Sequence, residues 1–438
     1  MDFITSVSNH GIAGILAKMV AVFLGYRLLL ILYNISPLHP LSPIPGPKLA
    51  AASYLPEFYY DVICVGKYTT KIREMHEKYG PLVRINPDEV HCSDPGFSDE
   101  IYATGGRKRD RTLHQINSAA VGDKAEFGTA DHDLHRIRRA PVAKFFSRSV
   151  IIGLENEIAA VAQRLCDKIM AQRGNGTPFD LTMAYSNLST DIISAYCFGE
   201  GFNLLDKPGW GSNFRESNLA VLRHWFLFRF FPFLRGLASL GVWFLDYLPD
   251  QTALFIRTMQ IEVPNLVTKA TENLKAGVVY ERPIFVQAML ESSLSKEDKS
   301  PDRMCLSVMT YHILANPEIF TTLTQELKEA IPDSQHLPHW ATLEKLPYLS
   351  SVVLEGLRLS YGASGRSARI ATEEDLVYRG KWQEKSIQYV IPRGYAIGMS
   401  AFVSHHDESL FPESHKFQPD RWLDLQRRKE LDRGFLGE

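Results

Sequence analysis

The longest unbroken apolar pattern lies near the start of the chain. Residues 11–34, GIAGILAKMVAVFLGYRLLLILYN, carry only Lys18 and Arg27 as charges. At ~1.5 Å rise per residue a helix of that length covers a hydrocarbon layer of ~30 Å. Residues 12–33 read as a single-pass transmembrane anchor, each cation near enough to an end for its stem to snorkel toward the interface. A buried or interfacial helix is the alternative reading, and a cleaved signal peptide a rival to both. No small-residue cleavage site follows. Instead comes SPLHPLSPIPGPK, with prolines at 37, 40, 43, 45 and 47, so residues 34–48 are expected to form an extended, stiff hinge.

Past the hinge the periodicity alternates between helix and strand. KYTTKIREMHEKYG (67–80) spaces its apolar positions as one helix face and closes at Gly80; PLVRINPDEVHCSD (81–94) predicts two short strands turning at Asn86-Pro87. From about 130 to 360 helical spacing dominates. DHDLHRIRRAPVAKFFS starts at an Asp131 cap, and NEIAAVAQRLCDKIMAQRG ends at Gly174. YSNLSTDIISAYCFGEG, QTALFIRTMQIEVPNLVTKATENLKAG and EIFTTLTQELKEAIPD follow the same rule. After Tyr361 come short β-branched runs, DLVYRG and QYVIPRGYAIGMSA. The pattern predicts a mainly α domain with a small β part, and no doubly wound alternation of strands and helices.

Composition narrows the function classes. The 438 residues are 45% hydrophobic, enough for a large core, and the formal net charge of −2 argues against a nucleic-acid binder. Five cysteines, at 64, 92, 166, 197 and 305, are scattered without a C-x-x-C pair. They read as reduced thiols in a cytosolic environment rather than as a disulfide framework.

LSSVVLEGLRLSYG (349–362) places Glu355 and Arg358 three apart inside an apolar helical run. The same spacing at Glu430 and Arg433 falls in a charged, solvated stretch, so the pair alone proves little. Its company is more specific. After the anchor and PIPGP come HDLHRIRRAPVAKFF, YHILANPE, LEGLRLSYG and HHDESLFPESHKFQPDRW, in that order. Together, from about 12 to 433, these stretches resemble a microsomal cytochrome P-450, a haem-thiolate monooxygenase, in the phrasing of fungal secondary-metabolism members. The resemblance implies the cytochrome P-450 fold over residues 49–438, haem as cofactor, an NADPH-cytochrome P-450 reductase as electron donor and an apolar small-molecule substrate. It also implies an endoplasmic-reticulum location, with the anchor in membrane lipid and the catalytic domain in the cytosol. No nucleic-acid partner is implied.

The resemblance assigns residues as well. Glu355, Arg358 and Arg421 of FQPDRW form a structural triad: a carboxylate buried among Val352, Val353, Leu354 and Leu357 needs cationic partners, and two guanidinium groups satisfy its lone pairs. Arg139 matches a haem-propionate ligand, with His135 one turn earlier where the family has tryptophan; a basic, solvated face shared with Arg136 and Arg138 is the alternative. Arg369 of GRSARIA matches another propionate-binding arginine. The run HWFLFRFFPFL (224–234) either roofs the pocket of a bulky apolar substrate, of terpenoid or polyketide type, or is simply core. The H-x-x-H pairs His132/His135 and His336/His339 have no company at zinc spacing, so no metal site beyond haem iron is expected.

Two departures from the family stand out. Its iron ligand lies in a Phe-x-x-Gly-x-x-x-Cys-x-Gly loop, and no such loop follows FQPDRW before LQRRKELDRGFLGE. Cys197 of AYCFGEG has the Cys-x-Gly tail, with Thr190 and Ile193 where phenylalanine and glycine should stand. The Gly-x-Asp/Glu-Thr turns of the oxygen-binding helix are likewise missing between Arg303 and Cys305. The sequence is therefore expected to be incomplete at 303–305 and after 433, through a gene-model error or gene decay. Two readings follow: a haem-dependent monooxygenase, or a catalytically inactive, haem-free or weakly haem-binding remnant with no catalytic residue of its own.

Overall fold

A computed structural model describes residues 2–103, 106–117, 126–174, 178–210, 217, 226–280, 282–292, 339–360, 365–424, 426–428 and 431. The expectations for 303–305, Cys305, His336, EIFTTLTQELKEAIPD, Glu430 and Arg433 lie outside these residues. The chain divides into two compact units.

The first unit comprises Met1–Arg107 and Arg366–Met399. Helix α1 (Asp2–Ile35) contains one stretch, Gly14–Ile35, long and apolar enough to cross a membrane, with none of it buried against the rest of the chain. The proline segment behind it differs from the stiff rod expected. Ser36, His39, Ser42 and Ile44 each donate a backbone N–H to a carbonyl three residues back, so the segment is a string of turns. Proline fixes its own φ and removes one donor, yet the residues between the prolines keep theirs. His39, Leu41 and Ile44 are buried.

Helix α2 (Tyr68–Tyr79) ends at Gly80, whose φ of 96° suits glycine; a Cβ there would meet the Trp382 ring at 3.0 Å. Strands β1 (Leu82–Asn86) and β2 (Glu89–Cys92) pair antiparallel across the Asn86-Pro87 turn. Arg369–Ala371 (β3) follows after the second unit, then the hairpin of β4 (Leu376–Trp382) and β5 (Lys385–Ile391), then β6 (Ala396–Gly398). Within this unit the sheet runs β1-β2-β6-β3, with β2 and β6 parallel. Beneath it Arg366 donates to Glu57 at 2.6 Å and to Glu89 at 3.1 Å, an ion cluster closed over by the Tyr68 ring.

The second unit comprises Lys108–Gly365 and Ser400–Glu438. Its helices are α3 (His132–Phe145), α4 (Glu155–Ala171), α5 (Leu181–Phe198), α6 (Asp250–Arg257), α7 (Val263–Lys275), α8 (Phe285–Glu291) and α9 (Pro347–Ser360). Asp131 caps α3 by accepting the Leu134 N–H at 2.7 Å. The core gathers Val142 and Phe145 of α3, Tyr196 and Cys197 of α5, Val267 of α7 and Phe285 of α8. Phe145 and Tyr196 stack at 4.3 Å, and the Tyr196 hydroxyl donates to the Phe145 carbonyl at 2.7 Å. After α9 come a short helical turn, Ala401–Ser404, and then a stretch mostly of turns that closes in a 3-10 turn at Pro419–Trp422.

Candidate functional site

Helix α9 begins with Pro347, whose φ is preset for a first turn. Its burial is inverted relative to composition. Ser351, Glu355 and Arg358 are buried, the last two completely, while Val353 and Leu357 are 49% and 43% exposed. The apolar jacket expected around the carboxylate is thus absent on that side: Val353 and Leu357 sit on other sides of the helix from Glu355. A hydrogen-bonded lining replaces it.

Every lone-pair direction of Glu355 is used. Its Oε1 accepts from Arg358 Nη2 at 2.8 Å, the Gln418 backbone N–H at 2.9 Å and Arg421 Nε at 3.1 Å. Its Oε2 accepts from Arg358 Nε at 2.9 Å and Trp422 Nε1 at 2.8 Å. Arg358 is equally saturated: Nη1 donates to the His405 and Ser414 carbonyls, each at 2.8 Å, and Nη2 to the Lys416 carbonyl at 3.2 Å. Arg421 adds donations to the Pro412 carbonyl and the Gln418 side chain. Burial alone would push the Glu355 carboxyl up; Arg358, the Gln418 N–H and Trp422 outweigh it and hold the group below the usual carboxylate range. Chemically the cluster is closed. It has no open acceptor for a substrate proton, and it locks α9 to residues 405–422. Sequence reasoning named three of its members and missed Trp422 and the Gln418 backbone; Trp422 stood next to Arg421 in FQPDRW as the available signal.

His135 and Arg139 lie one turn apart on α3, and one carboxylate faces both. His135 Nε2 is 3.1 Å from Glu126 Oε2, and Arg139 Nη1 is 3.5 Å from Oε1. Burial pushes the Glu126 carboxyl up, but His135 and Arg139 together hold it below its ordinary range. Arg138 points elsewhere, donating to Thr129 Oγ1 at 2.8 Å. Arg369 belongs to the first unit. It donates to Ser367 Oγ and the Ala368 carbonyl and lies over the Tyr102 ring. His132 takes the Asp110 carboxylate on its backbone N–H, and His339 pairs with Glu155.

The haem that the resemblance implies asks for cations at its propionates and a thiolate at its iron. Arg139 and His135 are donors of the right chemistry for the first, and in this structure both face the Glu126 carboxylate; Arg369, in the other unit, lies over the Tyr102 ring. The described cysteines do not fit the second. Cys92 is buried in β2 and Cys197 in the helical core, and burial pushes both thiols far up, keeping the proton on sulfur. Cys166 is exposed on α4, and Cys64 is half-buried at the end of the turn Tyr59–Ile63.

Of the aromatic run, Phe233 is 71% exposed, and Trp243 and Tyr247 beyond it are exposed too. Phe226, Phe228 and Phe230 of the run are half-buried, Phe230 packing edge-on against the His114 ring.

Comparison with known proteins places this geometry. The cytochrome P-450 family model matches residues 58–437. The cytochrome P-450 monooxygenase ppzE of Metarhizium majus is 40% identical over 429 residues, covering 91% of this chain and 90% of that protein. The monooxygenase tpcC of Cochliobolus heterostrophus is 38% identical over 89% of this chain and 77% of its own, and the tryptophan 6-hydroxylase fscE of Fusarium equiseti is 33% identical over 91% and 80%. A crystal structure of a cytochrome P-450 superposes with a TM-score of 0.61 at 15% identity, covering 83% of this chain and 79% of that one, which establishes the fold. This chain, with its buried Glu355–Arg358–Arg421 lock, belongs to the cytochrome P-450 family.

Proposed function

We propose that the protein is a membrane-anchored monooxygenase of fungal secondary metabolism that hydroxylates or epoxidises an apolar metabolite of terpenoid or polyketide type. One oxygen atom of dioxygen enters the substrate and the other leaves as water, with two electrons from NADPH through a flavoprotein reductase and two protons. When bound, haem would supply the oxygen activation. Arg139, His135 and Arg369 hold its propionates. Residues 12–33 anchor the protein in the endoplasmic-reticulum membrane, 34–48 join anchor to body, and 49–438 form the oxygenase domain in the cytosol.

The observation that carries this reading is the fully saturated Glu355 cluster in a chain whose fungal relatives are monooxygenases. The protein, reconstituted with reductase and NADPH, is expected to transfer label from isotopic dioxygen into a terpenoid or polyketide. NADPH consumption with no labelled product across both classes would reject the substrate assignment.

A second reading is favoured by the state of the cysteines. Among the described residues, Cys92 and Cys197 are buried with the proton held on sulfur, Cys64 is half-buried and Cys166 is exposed. On that reading this polypeptide binds haem weakly, through Arg139 and Arg369, and oxidises nothing.

A further inference from the structure

The end of α1 is built into the first unit. The last carbonyls of a helix lack partners within it. Here the Asn34 carbonyl accepts from Arg84 Nη1 at 2.9 Å, so a guanidinium from β1 sits at the negative end of the helix dipole. The other branch of the same group, Nη2, donates to the Pro87 carbonyl at 2.9 Å and lies 3.2 Å from His39 Nε2. The Arg84 backbone N–H donates to the Pro45 carbonyl at 2.8 Å, and Asn34 Nδ2 to the Ala52 carbonyl at 3.1 Å. Arg84 is buried. The His39 ring is packed between Tyr33 of α1 and Tyr395 of the β5–β6 turn, at 5.2 and 5.6 Å. One side chain therefore ties together the helix end, the proline segment and the β1–β2 turn.

We propose that Arg84 is a positioning residue that fixes the angle at which the membrane-crossing helix leaves the first unit. The unit is then held in one orientation at the lipid surface instead of swinging on a proline hinge. A free tether of fifteen or so residues would let the body sample many tilts. A guanidinium bonded to three chain segments does not, because only arginine offers donors in a planar fork wide enough to reach all of them. Lysine at 84 keeps the charge and loses the fork. This inference rests on the reading of α1 as a membrane anchor.

The test uses the full chain in phosphatidylcholine nanodiscs, with nitroxide amino acids encoded at Val22 in α1 and Lys385 in β5 so that the native cysteines stay. The unsubstituted protein is expected to give one narrow distance distribution between the labels. Arg84→Met and Arg84→Lys should each broaden it about two-fold or more. Both should also speed hydrogen exchange at the amides of His39, Ser42 and Ile44 about ten-fold, while exchange in β4 and β5 stays unchanged. Should Arg84→Met fail to accumulate, His39→Phe, which keeps the ring packing and removes the nitrogen facing Arg84, should give part of the same broadening. Unchanged width and unchanged exchange in the Arg84 variants would overturn the proposal. Carbonate extraction separates the underlying reading: a wild-type protein released to the supernatant overturns the anchor and with it any orienting role. A retained protein leaves the two Arg84 readouts to decide.

Discussion

Glu355→Gln is the sharpest perturbation of the lock, because it changes charge and donor pattern with almost no change of volume. The wild-type carboxylate accepts five N–H groups, three on Oε1 and two on Oε2. An amide with its oxygen toward the three-donor side turns its NH2 group toward Arg358 Nε and Trp422 Nε1, so two buried donors lose their acceptor and face another donor. Each such orphan costs about 1–3 kcal/mol. Arg358 and Arg421 also lose their counter-charge, and removing one partner of a buried ion pair costs about 3–5 kcal/mol in all. That is a large part of the ~5–15 kcal/mol by which a domain is normally stable. The assay is denaturant unfolding of the detergent-solubilised full chain, followed by tryptophan fluorescence, in which Trp422 is itself a reporter. Glu74→Gln is the control: its pair with Lys71 on α2 is exposed, and its midpoint should not move. A loss below about 1 kcal/mol for Glu355→Gln, the range of exposed ion pairs, would refute the claim that the cluster locks α9 to residues 405–422.

Other outcomes follow from single sites. His76 donates from Nδ1 to the Gly80 carbonyl and contacts His91 Nδ1 through Nε2, and burial lowers its pKa from 6.5 to about 4. Between those values the unfolded chain binds a proton that the folded one refuses, so stability is complete above pH 6.5 and falls as pH drops, by up to about 1.4 kcal/mol per pH unit; unfolding midpoints across pH 7 to 4.5 should show a slope that His76→Gln reduces. Gly199 has a φ of 76°, and a Cβ there would lie 2.4 Å from the Tyr280 ring, so Gly199→Ala should lower the melting temperature by an amount equivalent to about 1–3 kcal/mol. Deleting residues 2–36 should move the protein from the carbonate-resistant membrane pellet to the supernatant; retention in the pellet would count against α1 as the sole anchor.

The features legible in the sequence were those written in local chemistry. Asp131 and Gly80 mark helix ends because a carboxylate can cap and glycine can adopt positive φ, and the Asn86-Pro87 turn follows from the same kind of rule. Glu355 and Arg358 were visible through their spacing, and Arg421 through its family segment. The Arg366 hub was not, since its partners Glu89 and Glu57 lie 277 and 309 residues away and nothing local pairs them. Nor could periodicity tell which face of α9 is buried, because apolar residues stand on every side of it and a saturated polar cluster makes the polar face the inner one. The proline segment misled for a related reason: proline content fixes φ at five positions but says nothing of the carbonyls and N–H groups between them, which Arg84 and the turns satisfy. Glu126 carried no sequence signal at all beyond being acidic near α3.

The central claim is that this cytochrome P-450 chain carries no iron ligand at Cys64, Cys92, Cys166 or Cys197. The ferrous–carbon monoxide spectrum tests it most directly, because the position of the main haem band reports whether sulfur lies opposite carbon monoxide. The protein, purified and supplied with haem, is expected to give the same spectrum when Cys64, Cys92, Cys166 and Cys197 are each replaced by serine. A thiolate-type band abolished by serine at Cys64, Cys92, Cys166 or Cys197 would contradict the account.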